Sequence, residues 1–132
     1  MGARFCCALA VVGLLLAAAP GFSHHAIQAQ FDFKKPVQVK GVLTKVEWIN
    51  PHSYFTVETM TGGKKETWAF ESFGPGGMRK AGLSRRGFFK IGDVYTLDGF
   101  IAVSAPNTAW LKALTGPDGK VIQIWYGDPN PQ

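Results

Sequence analysis

The sequence has 132 residues, 46% of them hydrophobic and 13% aromatic, with a formal net charge of +5. This is enough chain for one domain with a real core and too little for two. So modest a charge does not by itself argue for a polyanionic partner, and the chain has neither an internal repeat nor a low-complexity tract.

Residues 1–23 read as a cleavable signal peptide. One cation, Arg4, precedes an uninterrupted apolar stretch from Ala8 to Ala19, followed by a Pro20-Gly21 break and small residues. The stretch is shorter than the roughly 20 apolar residues a spanning helix needs. Cleavage after Ser23, with Gly21 at the −3 position, is the favoured site; cleavage after Gly21, with Ala19 at −3, also satisfies the small-residue rule. Either removes Cys6 and Cys7, which lack a Leu-x-x-Cys lipidation context, so the mature chain contains no disulfide and must be stabilised by its core alone. The expected location is periplasmic or secreted, with no transmembrane segment in the mature chain. Ser84-Arg85-Arg86-Gly87-Phe88-Phe89-Lys90 imitates a twin-arginine signal, but such an address is read at an N-terminus and needs an apolar run behind it, which Asp93 and Asp98 interrupt.

The mature chain divides into an N-terminal extension over 24–36, a small β-barrel domain over 37–126 and a Pro-rich, disordered tail over 127–132. Val37 and Val39 alternate with polar residues, and beyond Gly41 the apolar phase slips to Val42, Val46 and Trp48, which predicts a β-bulge at the glycine. Asn50-Pro51 ends this strand. A second strand is expected from about Ser53 to Met60, and Gly62-Gly63 turns it into a third, Glu66 to Glu71, with Trp68 and Phe70 on one face. Ser72 to Gly92 breaks the pattern, with a short helix at Met78-Arg79-Lys80-Ala81 and Ser84 as a candidate cap; nothing else in the mature chain reads as helical. Strand character resumes at Asp93, where Tyr95, Leu97, Ile101 and Val103 share one parity. It continues over Ala109 to Thr115 and, after the Gly116-Pro117-Asp118-Gly119 turn, over Val121 to Tyr126. Three meandering strands, a short helix and two or three more strands make an all-β small antiparallel barrel of the OB-like type, with an open β-sandwich as the alternative.

The chain has three histidines. His24 and His25 stand at the new N-terminus, where the α-amino group and an imidazole can chelate one metal ion, and nitrogen ligands in a near-planar set suit Cu(II). Were cleavage to follow Gly21, His24 would be third in the chain, and an amine, two deprotonated amides and its imidazole would also make a square-planar copper site. His52 follows the Asn50-Pro51 corner, and it completes a three-nitrogen site if the N-terminal segment returns there. Asp32 and Glu71 are further candidate ligands. No paired Cys-x-x-Cys is present, which argues against structural zinc. Arg79, Lys80, Arg85, Arg86 and Lys90 form a stretch without an acid, beside Phe88 and Phe89, that an anionic envelope component could occupy; nucleic acid is a poor partner for an exported chain. Ser84 and Ser104 lack a Gly-x-Ser-x-Gly context and no glycine-rich phosphate loop precedes a helix, so no catalytic arrangement is expected.

These residues taken together, His24-His25, Phe31-Asp32, Lys35-Pro36, Gly41, Val46-Glu47-Trp48-Ile49-Asn50-Pro51-His52, Trp68-Ala69-Phe70-Glu71 and Gly92-Asp93-Val94, resemble a family of small exported proteins of unknown function from Gram-negative bacteria. Similar members read His-His-Ser-Phe where this chain has His24-His25-Ala26-Ile27. The resemblance implies a fold and a location and no activity. The functional expectation is a non-enzymatic ligand-binding or interaction module, with copper binding through the histidines and anion binding through the basic loop as the alternatives.

Overall fold

The computed structural model describes residues 24–83, 87–125 and 127. The expected signal peptide, Ser84, Arg85 and Arg86 of the basic stretch, and the end of the tail lie outside them. In chain order the elements are α1 (His24–Gln30), β1 (Phe31–Glu47), β2 (His52–Thr61), β3 (Lys64–Phe73), α2 (Pro75–Lys80), β4 (Val94–Ala102), β5 (Thr108–Thr115) and β6 (Val121–Gln123).

The β2–β3 hairpin follows directly from its glycines. Gly62 and Gly63 both have positive φ, 56° and 78°, and connect Thr61 and Lys64, which pair with each other. A two-residue turn of this hand matches the twist of the strands it joins. It also sets the register along the hairpin, with Tyr54 opposite Glu71 and His52 opposite Phe73. The hydrogen-bonded order is β3-β2-β1-β4-β5-β6, and β3 also pairs in parallel with β5, Ala69 to Glu71 against Thr108 to Trp110. That last pairing joins β3 to β5 and turns an open sheet into an OB-like barrel, in place of the alternative sandwich.

The structure departs from the sequence reading in four places. The bulge expected at Gly41 lies in the following residues, where the β1–β2 register shifts between Leu43 and Lys45. Val39, Gly41 and Leu43 all face inward, and Val42 is 38% exposed instead of belonging to the core. Gly41 keeps the strand phase because a Cβ there would stand 2.5 Å from the carbonyl oxygen of Glu58; close approach, not a bulge, is what its missing side chain allows. The first strand begins at Phe31 and not at Val37, because Phe31 and Pro36 already pair with Ala102 and Phe100 of β4. Residues 24–30, read as non-helical, form α1, where Ile27 packs against rings of the barrel exterior. The short helix of the long connection is three residues earlier than expected, with Pro75 in its first turn, a position that forfeits no helical hydrogen bond.

Two apolar clusters hold these elements. The larger fills the barrel with Leu43, Phe55, Val57, Phe70, Leu97, Leu111 and Leu114, and Met78, Leu83 and Phe89 of the β3–β4 connection join it. Each such side chain contributes on the order of 1.5–3 kcal/mol when fully buried. The second cluster lies on the opposite face of the same strands: Phe31, Phe100 and Trp110, covered by Ile27, Phe33, Phe73 and Trp125. Lys112 connects the C-terminal segment to it. The β4–β5 register skips this residue, and its carbonyl oxygen accepts the amides of both Ile124 and Trp125.

Candidate functional site

The outer face of the β1–β2–β3 sheet carries a row of polar groups beside the second cluster. Glu47 pairs with Tyr54, Tyr54 with Glu71, and Glu71 with Trp110, so four strands contribute one residue each to a single rung. His52, two residues before Tyr54, shares its face and lies on the diagonal from Glu71, within the reach of paired strands. The Nδ1 of His52 contacts Oε1 of Glu71. A carboxylate oxygen at that nitrogen calls for a proton on Nδ1, which turns Nε2 into the nitrogen free for another partner. Glu71 is 9% exposed, while His52 retains 30% of its side-chain surface.

Packing fixes the imidazole further. Its ring meets Trp110 edge-on, with centroids 5.4 Å apart at 79°, and Phe31 and Phe73 pack on the same indole at 5.7 and 5.6 Å. Trp110 is fully buried, and its indole Nε1 has no partner among the described residues. The corner that delivers His52 is held from below. A side chain on Gly74 would strike the carbonyl of Pro51, so the chain leaving β3 can pass close to the Asn50–Pro51 turn. Tyr54, between the carboxylates, has its phenol pushed above the ordinary value by burial first, then by the charges of Glu71 and Glu47.

The neighbours on either side of this face do not join it. Ser53 and Ser72 pair with each other and are fully buried on the inner side, where the Ser72 hydroxyl faces the Met78 sulfur at 3.6 Å. No hydroxyl nucleophile therefore comes from the residue beside His52.

The other sequence-derived residues separate into groups. His24 and His25 open α1, and their side chains lie outside the described residues. Asp32 is engaged within its own strand: one carboxylate oxygen accepts the Lys34 amide at 3.0 Å and the other pairs with Lys35 at 3.4 Å. Glu71 is bound to His52 and stands as its support. Among the described residues no three His, Cys, Asp or Glu side chains gather at one point. Arg79, Lys80 and Lys90 are exposed on the β3–β4 connection. Sequence patterning does not single out Tyr54 or Trp110 as site residues, although the Gly62-Gly63 turn places Tyr54 opposite Glu71.

The model of a family of unknown function, DUF6152, matches residues 11–109. No curated protein matches the chain. Among solved structures it is similar to a crystal structure of the mitochondrial single-stranded DNA-binding protein Rim1 from S. cerevisiae, with a TM-score of 0.45 and 6% sequence identity over 69% of this chain and 97% of that one. Among the described residues, no helix is long and apolar enough to cross a membrane.

Proposed function

We propose, for a chain that belongs to DUF6152, a family of unknown function, the role of an exported, non-enzymatic binding module whose ligand is a copper(II)-type ion held by His52 and the His24-His25 segment. The observation that carries this reading is the His52–Glu71 contact. Histidines that ligate metals characteristically give their second ring N–H to a carboxylate, which fixes the tautomer, orients the ring and raises the basicity of the free nitrogen. Here that carboxylate is nearly buried and the ring is further held by Trp110, so Nε2 is preorganised before any ion arrives. Imidazole and amine nitrogens suit Cu(II) among the divalent first-row ions.

The second half of the site is supported by packing. Ile27, in the helix that His24 and His25 open, rests on the cluster that contains Trp110, the same indole that carries His52. Export is supported by the apolar run from Ala8 to Ala19, and its removal after Ser23 would give His24 a free amine. The Ser53 hydroxyl, beside His52 in sequence, is buried on the inner side and away from the imidazole–carboxylate pair.

Copper titration of the protein as its host processes it, with the N-terminus read by mass spectrometry, tests this. One equivalent of Cu(II) should bind. His52→Ala should weaken binding at least about tenfold, and Glu71→Gln by about 10- to 100-fold through loss of the supporting carboxylate. An N-terminal extension that blocks His24 should have an effect as large as His52→Ala. Binding indifferent to His52, or no binding at all, would refute the metal reading.

A further inference from the structure

One end of the barrel exposes large apolar side chains beside a purely cationic segment. Trp48 and Ile49, just past the end of β1, are 40% and 49% exposed, and Phe88 and Ile91, in the β3–β4 connection, are 39% and 57% exposed. The two aromatic members form one surface because they share a base, with Ile49 and Ile91 as their neighbours in the chain. Trp48 and Phe88 both pack on Phe89, at 6.2 and 4.9 Å between centroids, and Phe89 is itself anchored in the barrel core. The backbone beside Ile91 is tied to β1, with the Gly92 amide donating to the Leu43 carbonyl at 2.8 Å and the Leu43 amide to the Asp93 carbonyl at 2.9 Å. The patch is thus mounted on the barrel wall and not on a loose loop.

The charge around it has one sign over a long stretch. Residues 72–92 contain no Asp or Glu, and Arg79, Lys80 and Lys90 of that stretch are exposed. The carboxylates that border it in the chain are Glu71, engaged by His52, and Asp93, while Glu47 on β1 is paired with Lys45 at 2.7 Å. Indole and phenyl rings with aliphatic neighbours suit the boundary between headgroups and acyl chains, and adjacent cations suit anionic headgroups. A soluble polyanion would use the cations and leave the isoleucines in water. We propose that this end of the barrel docks on an anionic lipid surface, with Trp48, Ile49, Phe88 and Ile91 entering the interface and Lys80, Arg79 and Lys90 meeting the phosphates. The docking is independent of metal binding at His52.

Vesicle sedimentation in the presence of a chelator tests the proposal on the full chain as its host processes it. The protein should sediment with phosphatidylcholine vesicles carrying about 30 mol % phosphatidylglycerol and not with phosphatidylcholine alone, and high salt should release it. Reversing two cations, Lys80→Glu with Lys90→Glu, should weaken binding by about twentyfold or more, since each cation near such a surface contributes about a fivefold factor. Ile49→Ser with Ile91→Ser should weaken it several-fold while leaving the thermal unfolding of the barrel unchanged, as both side chains face solvent. Equal binding to neutral vesicles, no binding, or binding that both double variants retain would overturn the assignment. Competition by dextran sulfate with no effect of the isoleucine changes would make the surface a polyanion site and overturn it equally.

Discussion

The phenol of Tyr54 lies on a rung between Glu47 and Glu71, and all three consequences of that position act in one direction. Burial disfavours the phenolate, and each carboxylate repels it, Glu71 more than Glu47. A group whose ionisation is delayed by folding binds its proton more tightly in the native state than in the unfolded one. Its contribution to stability is therefore complete below the unfolded tyrosine value of about 10 and is lost as pH rises through the higher folded value. Two measurements follow from the sign. A difference titration of native protein against Tyr54→Phe by near-ultraviolet absorbance should show this phenol ionising above the ordinary range, and Glu71→Gln should bring it down. Over the same alkaline interval, wild-type stability should fall more steeply than that of Tyr54→Phe. A phenol titrating at or below the ordinary value would remove the carboxylates from its surroundings and, with them, the geometry that supports His52.

At the scale of elements, β1 is the strand whose register shifts against β2, and Gly41 is where a missing side chain lets it lie close to the β2 backbone. Gly41→Ala would press a methyl group against the Glu58 carbonyl, 2.5 Å from the position of its Cβ, so one strand must shift. Overpacking of this kind costs about 1–3 kcal/mol, and the urea midpoint should fall accordingly with little change in slope. The same strand shows where sequence periodicity stops being informative. A slip between Val39 and Val46 is legible because side chains alternate, yet its place depends on which residue the partner strand leaves unpaired, and apolar Val42 misleads because it faces solvent. Hairpin β2–β3 is the opposite case. The paired glycines fix its register, and the Tyr54–Glu71 pair and the His52 diagonal could be counted outward from them. Trp110 could not be found this way, since it joins the site through the parallel β3–β5 pairing between segments distant in sequence. Nor could α1, whose seven residues have no acid in the first turn and no base in the last, and whose Ile27 packs against the outer cluster.

Across the whole molecule, Trp110 is the residue that couples barrel closure to the candidate site. It lies in the part of β5 that pairs with β3, it is fully buried outside the barrel, and its indole touches β1 through Phe31, β3 through Phe73 and β2 through His52. Truncating a buried indole removes transfer free energy and leaves a cavity, together about 3–5 kcal/mol. Trp110→Ala should therefore lower global stability by that order and free the His52 ring at once, so that copper affinity and unfolding midpoint fall together. Ile27→Ala separates the two effects, because Ile27 only covers the cluster and contributes nothing to the β3–β5 closure. In hydrogen exchange, the amides of α1 should lose protection in Ile27→Ala while those of β2 and β3 keep theirs, as expected for an element that opens below the global free energy. Copper affinity should drop in this variant with the unfolding midpoint nearly unchanged. If instead Ile27→Ala left affinity intact, the N-terminal helix would be a cover for the aromatic cluster alone, and His52 would have to find its companion ligands elsewhere.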